Sequence, residues 1–305
     1  MCAGKLKLWG DVIYFINEQE LKFLQRRLLN LARNNPISEE LRGWNWFESP
    51  LKPYYDNEKL PMYLVSSEYC PTRRDVFLNR VLKKKGEINF NVSLGLGVHQ
   101  TTSNIISGFQ NNQKLEFESW WSQNLNKISN PAWAITMKPL IKEVWDYVSQ
   151  NCETAVSNLM ASQPFAKKED VLRTSLPFLV EHVITGSYLG LSGTLKIDAY
   201  DYLRNIVYDL KTSTFEKPEY RLYTTGYALV LESVYDIPID IGGLVYVNFE
   251  NGKIIVKKDL FVINNELRSL WIEERDKKLD MVAQKKDPGI PKNCPKECIY
   301  SKDCA

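Results

Sequence analysis

Asp198, Asp209 and Lys211 are three charged side chains whose spacing lets one β-hairpin gather them. They lie in SGTLKIDAYDYLRNIVYDLKTS, residues 192–213. Apolar positions there alternate or run through Leu195, Ile197 and Ala199, break from Asp201 to Arg204, and resume from Ile206 to Leu210. Two strands and a turn account for that pattern. Side chains two apart on a strand share a face, so Asp209 and Lys211 point one way and Leu210 points into the core. Pairing in register would bring Asp198 beside them. Two carboxylates and an ammonium group suit phosphodiester hydrolysis. Carboxylates hold a hard divalent ion such as Mg²⁺ or Mn²⁺, which polarises the phosphate and lowers the pKa of a bound water. The lysine would orient that water or offset the charge that builds on the phosphate. A hairpin with an ordinary surface Asp–Lys pair has the same spelling, and these residues alone leave that reading open.

The cysteines are the second signal. Cys2, Cys70 and Cys152 stand apart, while Cys294, Cys298 and Cys304 crowd the end as C-x3-C-x5-C. In a chain read as cytosolic, such a cluster points to metal or redox chemistry before disulfides. Cys2 and Cys152 read as free thiols. The chain has two histidines. His99 follows Gly95 and Gly97 and is placed near a helix start, and His182 sits in a strand-like apolar run.

Several elements must position these groups. Residues 12–34 carry apolar positions at helical spacing and run into Asn34-Asn35-Pro36, a helix stop. From Leu41 to Tyr69 an irregular cap over an apolar surface is expected. It holds Trp44, Trp46, Phe47, Tyr54 and Tyr55, read as buried packing in preference to a binding platform. A helix should begin after Cys70, with Val76, Phe77 and Val81 inward and Arg73, Arg74, Arg80 and Lys83 to Lys85 outward. That basic face is either a solvated surface or a phosphate contact. Residues 115–162 read as helices broken at Asn130-Pro131, with Trp120, Trp121, Trp133 and Trp145 assigned to packing. After Pro164 the pattern turns β-rich, with a strand from Phe178 to Ile184 that carries Glu181 and leads into the hairpin. A helix over Lys217–Tyr235 bears Tyr227, a second hairpin turns at Asn251-Gly252, and a charged helix covers Asn264–Gln284. The chain divides into 1–65, 66–163, 164–286 and 287–305 as parts of one compact unit.

A length of 305 residues with 44% hydrophobic content supports a full core. The segment MCAGKLKLWGDVIYF lacks a signal-peptide layout and no apolar run reaches about 18 residues, so a cytoplasmic location without membrane insertion is expected. A net charge of +2 does not mark a general polyanion binder, so a nucleic-acid role must rest on a site.

An Asp followed eleven residues later by Asp-x-Lys, after a glutamate strand and before a helix with Tyr227, resembles the RecB-like branch of the PD-(D/E)xK nuclease superfamily. Ile197 replaces that superfamily's proline, and Tyr223 stands where a glutamine usually precedes the helix tyrosine by four. The resemblance implies a fold that is α/β (mixed), a RecB-like PD-(D/E)xK nuclease core with a helical N-terminal region and an iron-sulfur C-terminal tail. It implies an Mn²⁺ or Mg²⁺ site of His99, Asp198, Asp209 and the Leu210 carbonyl, with Lys211 assisting the water, Glu181 as supporting acid and Tyr227 beside them. Cys70, in YCPTRR, would join Cys294, Cys298 and Cys304 around a [4Fe-4S] cluster, with structural zinc as the other reading. Taken in order, these motifs resemble the CRISPR-associated RecB-like nucleases, the fourth Cas protein family, in its archaeal subtype I-A branch. The match covers about Ser66 to the end. It implies metal-dependent cleavage of single-stranded DNA, chiefly by an exonuclease, in preparing new spacers with the CRISPR integration proteins. Arg73, Arg74, Lys83 and Lys84 would guide the strand by phosphate attraction. The competing expectation is a non-catalytic iron-sulfur subunit that binds nucleic acid in a CRISPR assembly; an iron-sulfur redox protein has less support, since no second cofactor site is spelled. Homo-oligomerisation stays open.

Overall fold

The computed structural model describes residues 12–67, 70–128, 130–213, 215–294 and 298–304. At its centre is a five-stranded sheet of β1 (Phe178–Ile184), β2 (Leu195–Asp201), β3 (Ile206–Lys211), β4 (Ile241–Glu250) and β5 (Lys253–Val262), in that spatial order. The expected strand and both hairpins form. β3 pairs with β4 in parallel and every other pair is antiparallel. A parallel step needs a crossover, and the helix Arg221–Tyr235 supplies it. Asn251 (φ 50°) and Gly252 (φ 76°) put two consecutive left-handed residues at the β4–β5 turn, as a two-residue hairpin requires.

The helices are α1 (Glu18–Phe23), α2 (Leu29–Asn34), α3 (Met62–Ser66), α4 (Arg74–Arg80), α5 (Phe90–Gln110), α6 (Phe117–Ile128), α7 (Ala134–Ser162), α8 (Lys168–Ser175), α9 (Arg221–Tyr235), α10 (Asn265–Gln284) and α11 (Ser301–Cys304). One sheet face buries Val207 and Leu244 against Leu222 and Leu229 of α9 and Trp271 of α10. The other buries Tyr208, Leu210 and Val245 against Ile105 of α5 and Ile141 and Trp145 of α7. Trp120, Trp121 and Trp145 are buried there, as expected of packing residues. No helix among the described residues is long and apolar enough to cross a membrane.

Three expectations need correction. The first helix starts at Glu18, where Asn17 and Glu20 form a reciprocal cap, and a π-helical turn over Leu24–Leu28 precedes α2. The stretch after Pro164 opens with α8 before any strand. Its first turn carries Glu169 and Asp170, favourable at a helix N-terminus, and Val171 and Leu172 are buried. His99 lies in the middle of α5, because Asn89 caps that helix and Gly95 and Gly97 lie inside it. A Cβ on Gly97 would stand 2.8 Å from Ile141 Cδ1, so the glycine lets α5 approach α7. α10, read as a charged helix, buries Arg268, Arg275 and Lys278 completely.

Those three cations bond main-chain carbonyls of the irregular amino-terminal segment. Arg268 donates to Leu41 O (3.0 Å), Arg275 to Leu51 O and Pro50 O, and Lys278 to Val65 O (2.7 Å) and Ser67 O (2.9 Å). Arg268 also pairs with Glu232 of α9 at 2.7 and 2.8 Å. Glu232 further accepts from Arg42 and from the N–H groups of Gly43 and Ile239, so this buried carboxylate is fully engaged. The aromatic cap divides. Trp46 stacks on Tyr188 at 4.4 Å and Tyr55 donates to Asp280, whereas Phe47 and Tyr54 are exposed.

Candidate active site

Glu181 faces Asp198 at a level where the β1–β2 ladder skips a pair, between Val180↔Ala199 and His182↔Ile197. Its backbone there is left-handed, at φ 49°. The β2–β3 ladder ends at Ala199↔Tyr208, and beyond it the Asp198 carboxylate accepts the Leu210 N–H at 2.8 Å. The sheet therefore opens at this level, with carboxylates in the gap. α5 lies against the opening and brings His99 Nδ1 to 3.4 Å from Asp198 Oδ1. One donor atom each from His99, Glu181 and Asp198 lies within 4.8 Å of the others, the group among the described residues compact enough for an ion. An imidazole nitrogen with carboxylate oxygens suits Mn²⁺ or Mg²⁺. The donor set fits. Glu181 is otherwise touched by Lys196 at 3.2 Å, a side chain mostly in water.

Asp209 is present but differently employed. Lys211 Nζ stands 2.7 Å from its Oδ2 and 3.0 Å from its Oδ1, which verifies that the two share a face. The geometry gathers His99, Glu181 and Asp198 as the compact ligand group, with Asp209 beside it on the lysine. Leu210 contributes main chain only, since its side chain is in the core. Tyr227 is buried on the α9 side, where burial and then the nearby Asp198 and Asp209 charges push its phenol up.

The charges are strongly unequal. Burial, with Asp198 adding to it, pushes Asp209 up to about 6 against the pull of Lys211. Burial works the same way on Asp198, but His99, Lys211 and the Leu210 N–H outweigh it and hold that carboxyl low. His99 and Lys211 are both raised: burial opposes their charge, and Asp198 and Asp209 respectively overcome it.

Three tyrosines enter that spacing did not assign to the site. Lys211 Nζ sits 3.5 Å from the centroid of the Tyr223 ring and 5.5 Å from that of Tyr220. Tyr223 was visible in the sequence by its place four residues before Tyr227. Tyr14 lies under the sheet, its ring 5.5 Å from that of Tyr208, and burial followed by Asp198, Asp209 and Glu181 raises its phenol. Nothing in its neighbourhood of sequence marks it.

The other candidates fall elsewhere. His182 bonds Tyr235 and is no part of the site. Arg73 and Arg74, expected to face outward, turn to protein carboxylates instead. Arg73 makes a forked pair with Glu274, and Arg74 pairs with Asp287 while donating to Cys304 Sγ at 3.4 Å. Lys83 and Lys84 are exposed, with Lys84 at 2.9 Å from Asp303. Cys70 leads directly into α4, and Cys298 packs with Leu78 of that helix and with Tyr300 and Cys304. Burial and the neighbouring Cys294 and Cys304 thiols push Cys298 up to about 11. Cys298 and Cys304 thus come to α4, which Cys70 precedes, with Cys294 beside Cys298, yet among the described residues the thiols do not draw into a group as compact as the His99 set. Cys152 is fully buried with its thiol raised by burial, as suits an inert free cysteine, and Cys2 lies outside the described residues.

Comparison with known proteins agrees on one family. Residues 14–305 match the profile of the CRISPR-associated exonuclease Csa1. A protein of that name from Saccharolobus solfataricus (strain ATCC 35092 / DSM 1617 / JCM 11322 / P2) is 28% identical over 299 residues, covering 95% of this chain and 99% of its own. Another, from Thermoproteus tenax (strain ATCC 35583 / DSM 2078 / JCM 9277 / NBRC 100435 / Kra 1), is 24% identical over 293 residues, covering 93% and 98%. With a match over nearly its whole length, this chain belongs to the CRISPR-associated exonuclease Csa1 family.

Proposed function

We propose that this protein is a metal-dependent DNA nuclease, an exonuclease on single strands that trims DNA for insertion as new CRISPR spacers. Its relatives are named CRISPR-associated exonucleases, which supports a nuclease working in a CRISPR system. The observation that carries the finer reading is the gathering of His99, Glu181 and Asp198 beside the Asp209–Lys211 pair. His99, Glu181 and Asp198 would hold Mn²⁺ or Mg²⁺, with Asp209 and the Leu210 main chain next to it. When bound, such an ion polarises a phosphate oxygen and lowers the pKa of its water. Lys211 then presents a fixed positive charge to the phosphate as negative charge builds there, and Asp198 stays ionised to keep His99 oriented. Asp209, raised toward neutrality, can take a proton at its carboxylate as Lys211 turns to the phosphate.

We assign Cys70, Cys294, Cys298 and Cys304 to a [4Fe-4S] cluster in preference to zinc. Support comes from the placing of Cys298 and Cys304 at α4 and from Arg74, whose N–H group donates to the Cys304 sulfur. Counting iron, sulfide and zinc in purified protein separates the two. The CRISPR integration proteins are the partners this role requires.

End-labelled single and double strands incubated with Mn²⁺, Mg²⁺ or chelator test the activity. The expected result is stepwise shortening of single strands with metal, abolished in Asp198→Ala and Lys211→Ala. DNA binding without cleavage under every metal condition would refute the nuclease.

A further inference from the structure

We propose that Tyr223 is a positioning residue for Lys211, its ring face holding the ammonium group where the reacting phosphate will meet it. The inference rests on the nuclease reading and adds a part to it. Lys211 Nζ lies between the Asp209 carboxylate at 2.7 Å and the centre of the Tyr223 ring at 3.5 Å. The ring of Tyr220 stands 6.5 Å from that of Tyr223, nearly perpendicular to it, and backs the pair. Both the lysine and the tyrosine sit on rigid elements: Lys211 ends β3, and Tyr223 lies in the first turn of α9.

A ring does here what a second carboxylate could not. The quadrupole of an aromatic face attracts a cation without bringing a formal negative charge. A carboxylate in the same place would hold the lysine as firmly but would repel a phosphodiester. With the ring, the net positive charge remains available to the substrate. The Tyr223 face gives the ammonium group a second contact besides the one it makes with Asp209. The lysine stem is largely buried, which makes the contact stronger than one in water.

The test uses the full chain with Mn²⁺ and a single-stranded oligonucleotide. Tyr223→Phe keeps the ring and should retain kcat within about twofold. Tyr223→Leu should lose kcat by roughly 10- to 30-fold, the size of a desolvated cation–π contact, with KM and the Mn²⁺ titration unchanged. Phenylalanines bearing one, two and three ring fluorines at position 223 keep the shape and drain the face of charge, so kcat should fall stepwise along that series. A purely structural ring would give a flat series. A flat series, or Tyr223→Leu with the wild-type kcat, overturns the proposal. Should Tyr223→Leu misfold, the fluorinated series still decides. Failure of the wild-type chain to cleave with any metal would instead remove the nuclease reading, and this proposal with it.

Discussion

Glu181 shows how the site is made at the scale of one residue. Left-handed backbone costs a residue with a Cβ about 1–2 kcal/mol, and Glu181 adopts it at φ 49° inside a strand. What results is a carboxylate turned into the gap beside Asp198 and His99. Glycine removes that cost and the repulsion between the two carboxylates. Glu181→Gly should therefore melt higher than wild type without metal, by about 1 kcal/mol, while losing Mn²⁺ affinity. Thermal melts with and without Mn²⁺ read both effects, and a lower metal-free melting temperature would count against this account. Asp198→Asn addresses the neighbouring contact: the neutral amide no longer holds His99, so Mn²⁺ binding measured by calorimetry should be lost while the fold persists. Asp198, Asp209 and Lys211 were legible in the sequence because strand alternation fixes which side chains share a face. The angle at Glu181 was not, since nothing in FLVEHVI forbids an ordinary strand.

At the scale of the element, α10 is the instructive case. Its sequence is as charged as a solvated helix, yet Arg268, Arg275 and Lys278 are buried along it and satisfied by carbonyls and by Glu232. Charge alone cannot distinguish a cation in water from one with a fixed set of acceptors, so pattern reading could not place these inside. α8 was missed for a related reason: eight residues with two buried positions give little period to read. Removing Glu232 leaves buried Arg268 with only Asp240, 3.8 Å away, as a carboxylate partner, so Glu232→Ala should cost about 3 kcal/mol in a denaturant melt. Glu274 gives a pH dependence. Burial opposes its charge, but Arg73 and Lys278 outweigh that and hold its folded pKa below the ordinary 4.5. A depressed carboxyl contributes stability that is complete above the unfolded value and lost as pH falls through the folded one. Glu274→Gln should thus lower stability near neutral pH and flatten the loss of stability below 4.5, as melting temperatures across that range would show.

For the whole molecule, the sheet, its two hairpins and the crossing helix follow from periodicity, whereas the joining of distant segments does not. Arg73 and Arg74 read as a basic face because their acceptors, Glu274 and Asp287, lie some two hundred residues away. The tail is held by such long-range contacts: Arg74 on Asp287, Asn79 on Tyr300, and the Ile299 carbonyl on the Glu87 N–H. Stripping the proposed cluster should therefore loosen the tail before the sheet, so limited proteolysis would cut near residues 287–305 while the main melting transition stays in place. Among these long-range attachments, the grips of the three buried α10 cations on the amino-terminal segment differ in kind, because each takes hold of a backbone oxygen there. Any L-amino acid presents that same oxygen. Replacements in the exposed stretches between Leu41 and Ser67 should be widely accepted, whereas losing or gaining a single residue there would shift the oxygens out of reach. Those exposed stretches are thus free in their spelling and fixed in their count.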